Sequence, residues 1–155
     1  MTERKQRESK IRNELVRLAT EHGGELRPKA VVEAARPDTS PLHNSFEWDD
    51  SEAAEKYRLH QARQLITTVY VVEQVGKRME AVQVFVSLTT DRKDDGVGYR
   101  LSQSVMSDEE LRRQMLTDAM ADMQRFREKY RRLNELAKVF EAIEHVEQKE
   151  LAATA

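Results

Sequence analysis

Three segments in the first half of the chain carry apolar residues at helical spacing. The first covers residues 3–22 and is followed by two glycines, which suit the left-handed conformation at a helix end. A short helix is predicted from Pro28 to Ala35, because proline suits a first helical turn and Pro37 stops the helix. A third helix is predicted from Ser51 to Thr67. The periodic residues of the first helix are Ile11, Leu15, Leu18, Ala19 and His22.

The connection between the second and third predicted helices is too apolar for a free linker. It contains Leu42, Phe46 and Trp48, which we expect to pack against the core. Asp49 with Glu52 resembles a capping box, and Trp48 is placed to pack on the first turn of the third helix as a hydrophobic staple. The neighbouring acids then complement the positive end of the helix dipole.

After the third helix, runs of valine, threonine, tyrosine and phenylalanine predict a β-hairpin. Its strands are Thr67–Val75 and Ala81–Leu88, joined by a basic tip at Gly76–Arg78. Residues 91–96 are predicted to form a solvated loop, and Gly98–Leu101 to add a short third strand. Alternation along the second strand predicts a buried face made of Val82, Val84, Val86 and Leu88.

The last third of the chain has the pattern of one amphipathic helix. Ser107 followed by Glu110 makes a capping box, from which an unbroken helix is predicted to reach Lys149. Apolar residues repeat every seven positions over four heptads, which favours a coiled-coil or bundle seam between copies of the chain. The seam residues predicted to mediate oligomerisation are Leu116, Ala119, Met123, Phe126, Tyr130, Leu133, Ala137 and Phe140.

The order of helix, short helix, turn, helix and hairpin resembles a winged helix. We therefore predict an α+β, mostly helical fold, with a winged-helix-like domain over residues 1–103 and a long oligomerising helix over residues 107–149. Alternatively, the long helix folds back on the β-hairpin of its own chain. The heptads would then reflect intramolecular packing in a monomer, and amphipathicity alone does not distinguish the two arrangements.

Composition narrows the classes of function. Among 155 residues there is no cysteine, which excludes disulfides, thiolate metal sites and cysteine nucleophiles. No segment approaches the roughly 20 apolar residues of a membrane span, and the start of the chain lacks a signal-peptide pattern. We therefore expect a cytoplasmic protein with no membrane partner.

Charge is distributed unevenly, although the net charge is only -2. Recognition of nucleic acid depends on where charge lies rather than on its sum. The first helix is basic, with Arg4, Lys5, Arg7, Lys10, Arg12 and Arg17. The start of the third helix is acidic, with Glu47, Asp49, Asp50, Glu52 and Glu55.

Polar residues on one side of the third helix form the candidate surface for double-stranded DNA. In a winged helix, the third helix enters the major groove and the hairpin wing contacts the backbone. Arginine and glutamine can make paired hydrogen bonds to base edges, and lysine supplies charge to phosphates. A solvated side of any surface helix has the same pattern, and the nearby acids count against DNA. The candidates are Lys56, His60, Arg63 and Gln64 on the helix, and Lys77, Arg78, Arg92 and Lys93 on the wing.

No residue pattern indicates an enzyme. The four histidines lie in no recognised catalytic signature, and for His43, close to Trp48 in sequence, a structural hydrogen bond is the favoured interpretation. Helix capping and loop solvation account for the acids that could otherwise bind a divalent cation. We predict a non-catalytic protein with no cofactor and no metal site. The acids considered are Glu47, Asp49, Asp50, Asp94 and Asp95.

Three segments carry a resemblance to a family of short phage and prophage proteins of unassigned function. They are Leu26–Arg36, Ser40–Asp50 and Ala53–Ile66, and the match extends through the hairpin to Tyr130–Ile143. The resemblance implies a bacterial host cytoplasm and roles such as DNA-binding regulators, recombination or packaging accessories, and host-factor inhibitors. The predicted function is DNA binding by a homo-oligomer. The alternative is an assembly component that contacts a host protein and no DNA.

Overall fold

A computed structural model describes residues 3–48, 52–93 and 96–154 of the chain. The chain forms two compact units, a first unit of Met1–Asp108 and a second unit of Glu109–Ala155. The helices are α1 (Glu3–Glu21), α2 (Pro28–Ala35), α3 (Glu52–Thr67), α4 (Ser102–Ser107), α5 (Glu109–Tyr130) and α6 (Ala137–Thr154). The strands are β1 (Glu25–Leu26), β2 (Tyr70–Val75), β3 (Arg78–Gln83), β4 (Phe85–Val86), β5 (Arg92–Lys93), β6 (Gly96–Val97) and β7 (Tyr99–Leu101).

The predicted α+β, mostly helical fold is confirmed, and α1, α2 and α3 lie where the apolar spacing predicts them. α1 ends at Gly23 and Gly24, whose φ angles of 68° and 88° belong to the left-handed region that glycine adopts at least cost. Pro28 occupies the first turn of α2. The predicted capping box at Asp49 lies outside the described residues.

The core of the first unit lies between these three helices and a small sheet. Leu15 of α1, Val31 of α2, Ile66 of α3 and Leu26 of β1 are all 0% exposed. Burying one such side chain contributes roughly 1.5–3 kcal/mol to folding. The other core residues packed with them are Leu18, Ala19, Val32, Ala35, Leu42, Phe46, Ala62, Val69, Val84, Phe85 and Tyr99.

The predicted hairpin forms as β2 and β3, but its second strand ends at Gln83 instead of Leu88, and it is one of three separate sheets among the described residues. In the described part of the chain, β7 lies between β1 and β4 in an antiparallel sheet, while β2 pairs only with β3 and β5 only with β6. The second predicted strand divides at Val84, where Val84 and Phe85 are both buried instead of alternating. The predicted third strand exists as β7, but it pairs with β1 and β4 and not with the β2–β3 hairpin.

The connection between α2 and α3 is anchored as predicted. Leu42 is 0% exposed and Phe46 is 8% exposed. Trp48 Nε1 donates to the carbonyl oxygen of His43 at 3.0 Å, and the His43 and Trp48 rings stack with centroids 5.0 Å apart. His43 Nδ1 donates to the carbonyl oxygen of Ala35 at 2.9 Å. His43 therefore has the structural role that the sequence favours.

The predicted unbroken helix over residues 107–149 is wrong. Ser107 ends α4, and its hydroxyl donates to the carbonyl oxygen of Ser104 at 3.0 Å instead of capping the next helix. A second break follows Tyr130, and α6 then runs antiparallel to α5. Arg127 of α5 pairs with Glu144 of α6 at 2.9 Å, and Gln124, earlier on α5, donates to Glu147, later on α6. A continuous helix would leave its whole apolar stripe in water, whereas the turn lets parts of it pack together.

The eight predicted oligomerisation residues are therefore divided among three elements and form no continuous seam. Five lie on α5, Leu133 lies in the turn, and Ala137 and Phe140 lie on α6. Phe126 and Phe140 face each other within the chain, with ring centroids 6.4 Å apart.

Candidate nucleic-acid interface

The outward side of α3 carries three of the four polar residues predicted for it. Lys56, His60 and Gln64 are exposed and follow one another at intervals of four residues, so that they line one side of the helix. Tyr57 is 53% exposed and stacks beside His60, with ring centroids 6.4 Å apart. Helical spacing places Tyr57 with the apolar residues of α3. Its exposure in the structure shows that it belongs to the outward surface instead.

Arg63, the fourth candidate on α3, is half-buried. Among the described residues its Nε is buried and has no hydrogen-bond partner. A Cβ atom at Gly96 would lie 3.9 Å from Arg63 Nη2, so this side chain lies against the β5–β6 hairpin. Gly96 has a φ of 122°, a conformation that disfavours any larger residue there. Arg63 thus joins α3 to this hairpin instead of extending into solvent.

The β5–β6 hairpin carries a further exposed cation. Arg92 of β5 is exposed and pairs in register with Val97 of β6, and Lys93 pairs with Gly96. The side chain of Lys93 and the residues Asp94 and Asp95 lie outside the described part of the chain.

A buried ion pair holds the base of the β5–β6 hairpin. Asp91 is 1% exposed and accepts hydrogen bonds from Arg100 Nε at 2.8 and 2.9 Å. Its backbone carbonyl accepts from the amide of Gly98 at 2.9 Å. The hydrogen bond to Asp91 raises the pKa of Arg100 above its ordinary value. The predicted solvated loop is therefore wrong at Asp91, and nothing in the sequence pattern pairs it with Arg100.

Lys77 and Arg78 do not share this hairpin with Arg92. They lie at the tip of the β2–β3 hairpin, in a two-stranded sheet of its own, where Gly76 takes a φ of 62° in the turn. Both side chains are exposed. The predicted wing is therefore two hairpins, each with a basic residue exposed.

The acidic start of α3 is partly turned away from the polar side. Glu55 forms ion pairs with Arg58 at 3.0 Å and with Arg36 at 3.7 Å. Arg58 is 5% exposed, donates to the carbonyl oxygen of Glu47 at 3.1 Å and lies over the Trp48 ring, 5.4 Å from its centroid. The sequence does not single out Arg58, which fastens α3 to the preceding loop.

Several cations of α1 are compensated by acids of the same helix. Arg17 forms ion pairs with both Glu14 and Glu21, and Arg4 pairs with Glu8 at 3.0 Å. The hydrogen bond from Arg17 lowers the pKa of Glu14 below its ordinary value. The basic composition of α1 therefore overstates the charge that it offers to a partner.

Within residues 3–48, 52–93 and 96–154, no three His, Cys, Asp or Glu side chains come together in a way that could hold a metal ion. Among the described helices, none combines the length and apolar content that crossing a bilayer requires.

Comparison of the chain with protein-family models, with curated proteins and with solved structures found no match. The resemblance to short phage proteins therefore stays a prediction.

Proposed function

We propose that this protein binds double-stranded DNA without catalysing a reaction, through a DNA face made of Lys56, Tyr57, His60 and Gln64 on α3 and Arg92 on β5. The observation that carries the proposal is the position of the Arg63 guanidinium close to Gly96, which brings α3 near the β5–β6 hairpin. Helix and hairpin can then meet a major groove and its flanking phosphates together.

The topology of the first unit supports a winged-helix-like arrangement. β1 follows α1 and pairs with β7, and β7 pairs with β4 after α3, so three helices pack on a three-stranded antiparallel sheet. In this interpretation the segment between β4 and β7, with the β5–β6 hairpin at its end, is the wing. The β2–β3 hairpin is an addition between α3 and the sheet.

The distribution of charge on α3 also supports DNA. Glu55 forms ion pairs with Arg36 and Arg58 and lies away from the DNA face. Its negative charge therefore counts less against DNA binding than the sequence suggests. Lys56 and Arg92 supply charge for phosphates, and Gln64 suits paired hydrogen bonds to an adenine edge. The proposed role of Arg63 changes from base contact to positioning, because its Nε is buried.

The test compares full-length variants in fluorescence anisotropy with random duplex DNA over a salt series. The face variant combines Lys56→Glu with Arg92→Glu, and the matched control combines Lys10→Glu with Lys138→Glu, exposed cations on α1 and α6. We expect the face variant to lose on the order of tenfold or more in affinity and about two units of salt slope. The control should keep the wild-type affinity. Equal binding by wild type and face variant would refute the proposed face.

A protein partner without DNA is the second candidate function, and the β2–β3 hairpin favours it. Tyr70, Val72 and Met79 are 49%, 65% and 66% exposed and lie on one face of this hairpin. The charged residues of the two strands, Glu73, Arg78 and Glu80, lie on the opposite face. Exposed apolar surface of this kind is typical of interaction sites. Absence of DNA binding by the wild type at low salt would favour this function.

A further inference from the structure

The second unit leaves several of its large apolar side chains exposed to solvent. α5 and α6 contact each other through Phe126 and Phe140 and through the ion pair of Arg127 with Glu144. Among the described residues of this unit, Ile143 is the one buried hydrophobic residue, at 6% exposed. The exposed ones include Leu116 at 39%, Phe126 at 39%, Leu133 at 46%, Val139 at 45% and Val146 at 37%.

Three of these side chains, together with Ala119, share one face of the helical hairpin. Ala119 and Phe126 are seven residues apart on α5, and Val139 and Val146 are seven apart on α6, so each pair lies on one side of its helix. Each pair lies next to the residues that join the two helices. Because the helices are antiparallel, both pairs fall on the same face, which we call the apolar face.

This face is too apolar for a hairpin that stands alone. Helices in proteins owe most of their stability to the packing of an apolar side. Two helices of 22 and 18 residues are too few to enclose a core of their own. Helical hairpins solve this problem by pairing into four-helix bundles. The apolar face therefore fits a second helical hairpin.

The charges on α5 beside the apolar face are arranged so that the helix complements itself. Asp118 and Asp122 come before the midpoint between residues 123 and 124, and Arg125 and Lys129 come after it. Asp118 is as far from this midpoint as Lys129, and Asp122 is as far from it as Arg125. Two antiparallel copies of α5 would set each aspartate opposite a cation, whereas two parallel copies would set like charges together.

These charges remain within reach of a second copy. Asp122 and Arg125 form an ion pair along α5, yet their side chains are 71% and 70% exposed. Each can therefore contact a neighbour on its solvent side without leaving its partner in the chain.

We propose that a second copy of this chain covers the apolar face, with the two α5 helices antiparallel and a two-fold axis passing between Met123 and Gln124. Phe126 of one copy then lies close to Ala119 of the other, whose small side chain leaves room for the ring. The product is a symmetric bundle of four helices, with the same surface used by both copies. This dimer does not require that the first unit binds DNA.

Charge reversal in the full-length chain tests this arrangement. Asp118→Lys with Asp122→Lys sets lysines opposite cations at both ends of the paired helices. The dimer dissociation constant, measured by sedimentation equilibrium without DNA, should rise on the order of tenfold or more. Arg125→Glu with Lys129→Glu should raise it similarly. An equimolar mixture of the two variants should form a heterodimer at least as tight as the wild-type dimer. In that heterodimer, residues 118 and 122 of each α5 helix lie opposite residues of the other charge sign at 129 and 125.

The matched control is Glu128→Lys with Glu141→Lys, which makes the same change in charge at exposed positions away from the apolar face. It should leave the dissociation constant unchanged. A variant that only misfolds would not be repaired by mixing, so recovery in the mixture separates lost contacts from lost structure. A wild-type chain that stays monomeric, or a first variant that dimerises like the wild type, would overturn the antiparallel dimer.

Discussion

The two units of the chain contain helices of similar length but bury them very differently. In the first unit, Leu15, Val31 and Ile66 come from three different helices and are all 0% exposed. In the second unit, Ile143 is 6% exposed while Phe126, the largest apolar residue of α5, is 39% exposed. The difference lies in topology, because three helices on a sheet enclose a core, whereas two antiparallel helices share only one seam.

This contrast shows that a regular apolar pattern does not by itself indicate where its partner lies. The first unit buries a core of its own, although its β2–β3 hairpin leaves apolar residues exposed. The second unit has a clearer heptad pattern, yet among its described residues Ile143 is the one buried hydrophobic side chain. We expect its stability to depend on association, whereas that of the first unit does not.

The largest loss of stability should come from truncating a core side chain of the first unit. Phe85→Ala removes a ring that is 2% exposed and should lower the free energy of unfolding by about 3–5 kcal/mol. Urea denaturation followed by the fluorescence of Trp48, the one tryptophan, reports on this unit. The matching variant of the second unit is Phe126→Ala. It should lower the free energy of unfolding, followed by circular dichroism, by about 1–2 kcal/mol, and this loss should depend on protein concentration. Equal costs for both would contradict the contrast between the units.

A smaller effect is expected at the ion pair that holds the β5–β6 hairpin. Asp91→Asn keeps the shape of the side chain but removes its charge from Arg100. Because the Arg100 side chain is 25% exposed, solvent replaces part of the lost interaction, and we expect a cost of about 2 kcal/mol. Thermal unfolding measures it, with exposed Asp38→Asn as the control. A variant as stable as the control would show that this pair does not hold the hairpin.

The smallest effect should come from the surface of α1. The pKa of Glu14 is lowered by the hydrogen bond from Arg17, so its carboxylate stabilises the folded state above the ordinary pKa of 4.5 and loses this contribution as the pH falls through the lowered value. The difference in urea midpoint between the wild type and Glu14→Gln should therefore be largest at neutral pH and shrink in acid. A difference that grows in acid would have the wrong sign for this pair.

Some of the candidate site follows from helical spacing alone. Lys56, His60 and Gln64 are four residues apart, and any helix over this segment sets them on one side, which the structure shows to be exposed. Spacing does not reveal that Arg63 is half-buried against Gly96, because the two residues are far apart in sequence. The ion pair of Asp91 and Arg100 is missed for the same reason, since a charged residue in a polar segment usually faces solvent.

The sequence by itself determined α1, α2 and α3 and the anchored connection at Leu42 and Phe46, because local spacing, proline positions and isolated apolar residues act within a few residues. Only the tertiary structure decided that the strand divides at Val84 and that the C-terminal heptads fold into a hairpin after Tyr130. An apolar stripe has the same period whether its helix continues or turns back. The choice depends on which distant surface is there to bury it, and that surface exists only in the folded chain.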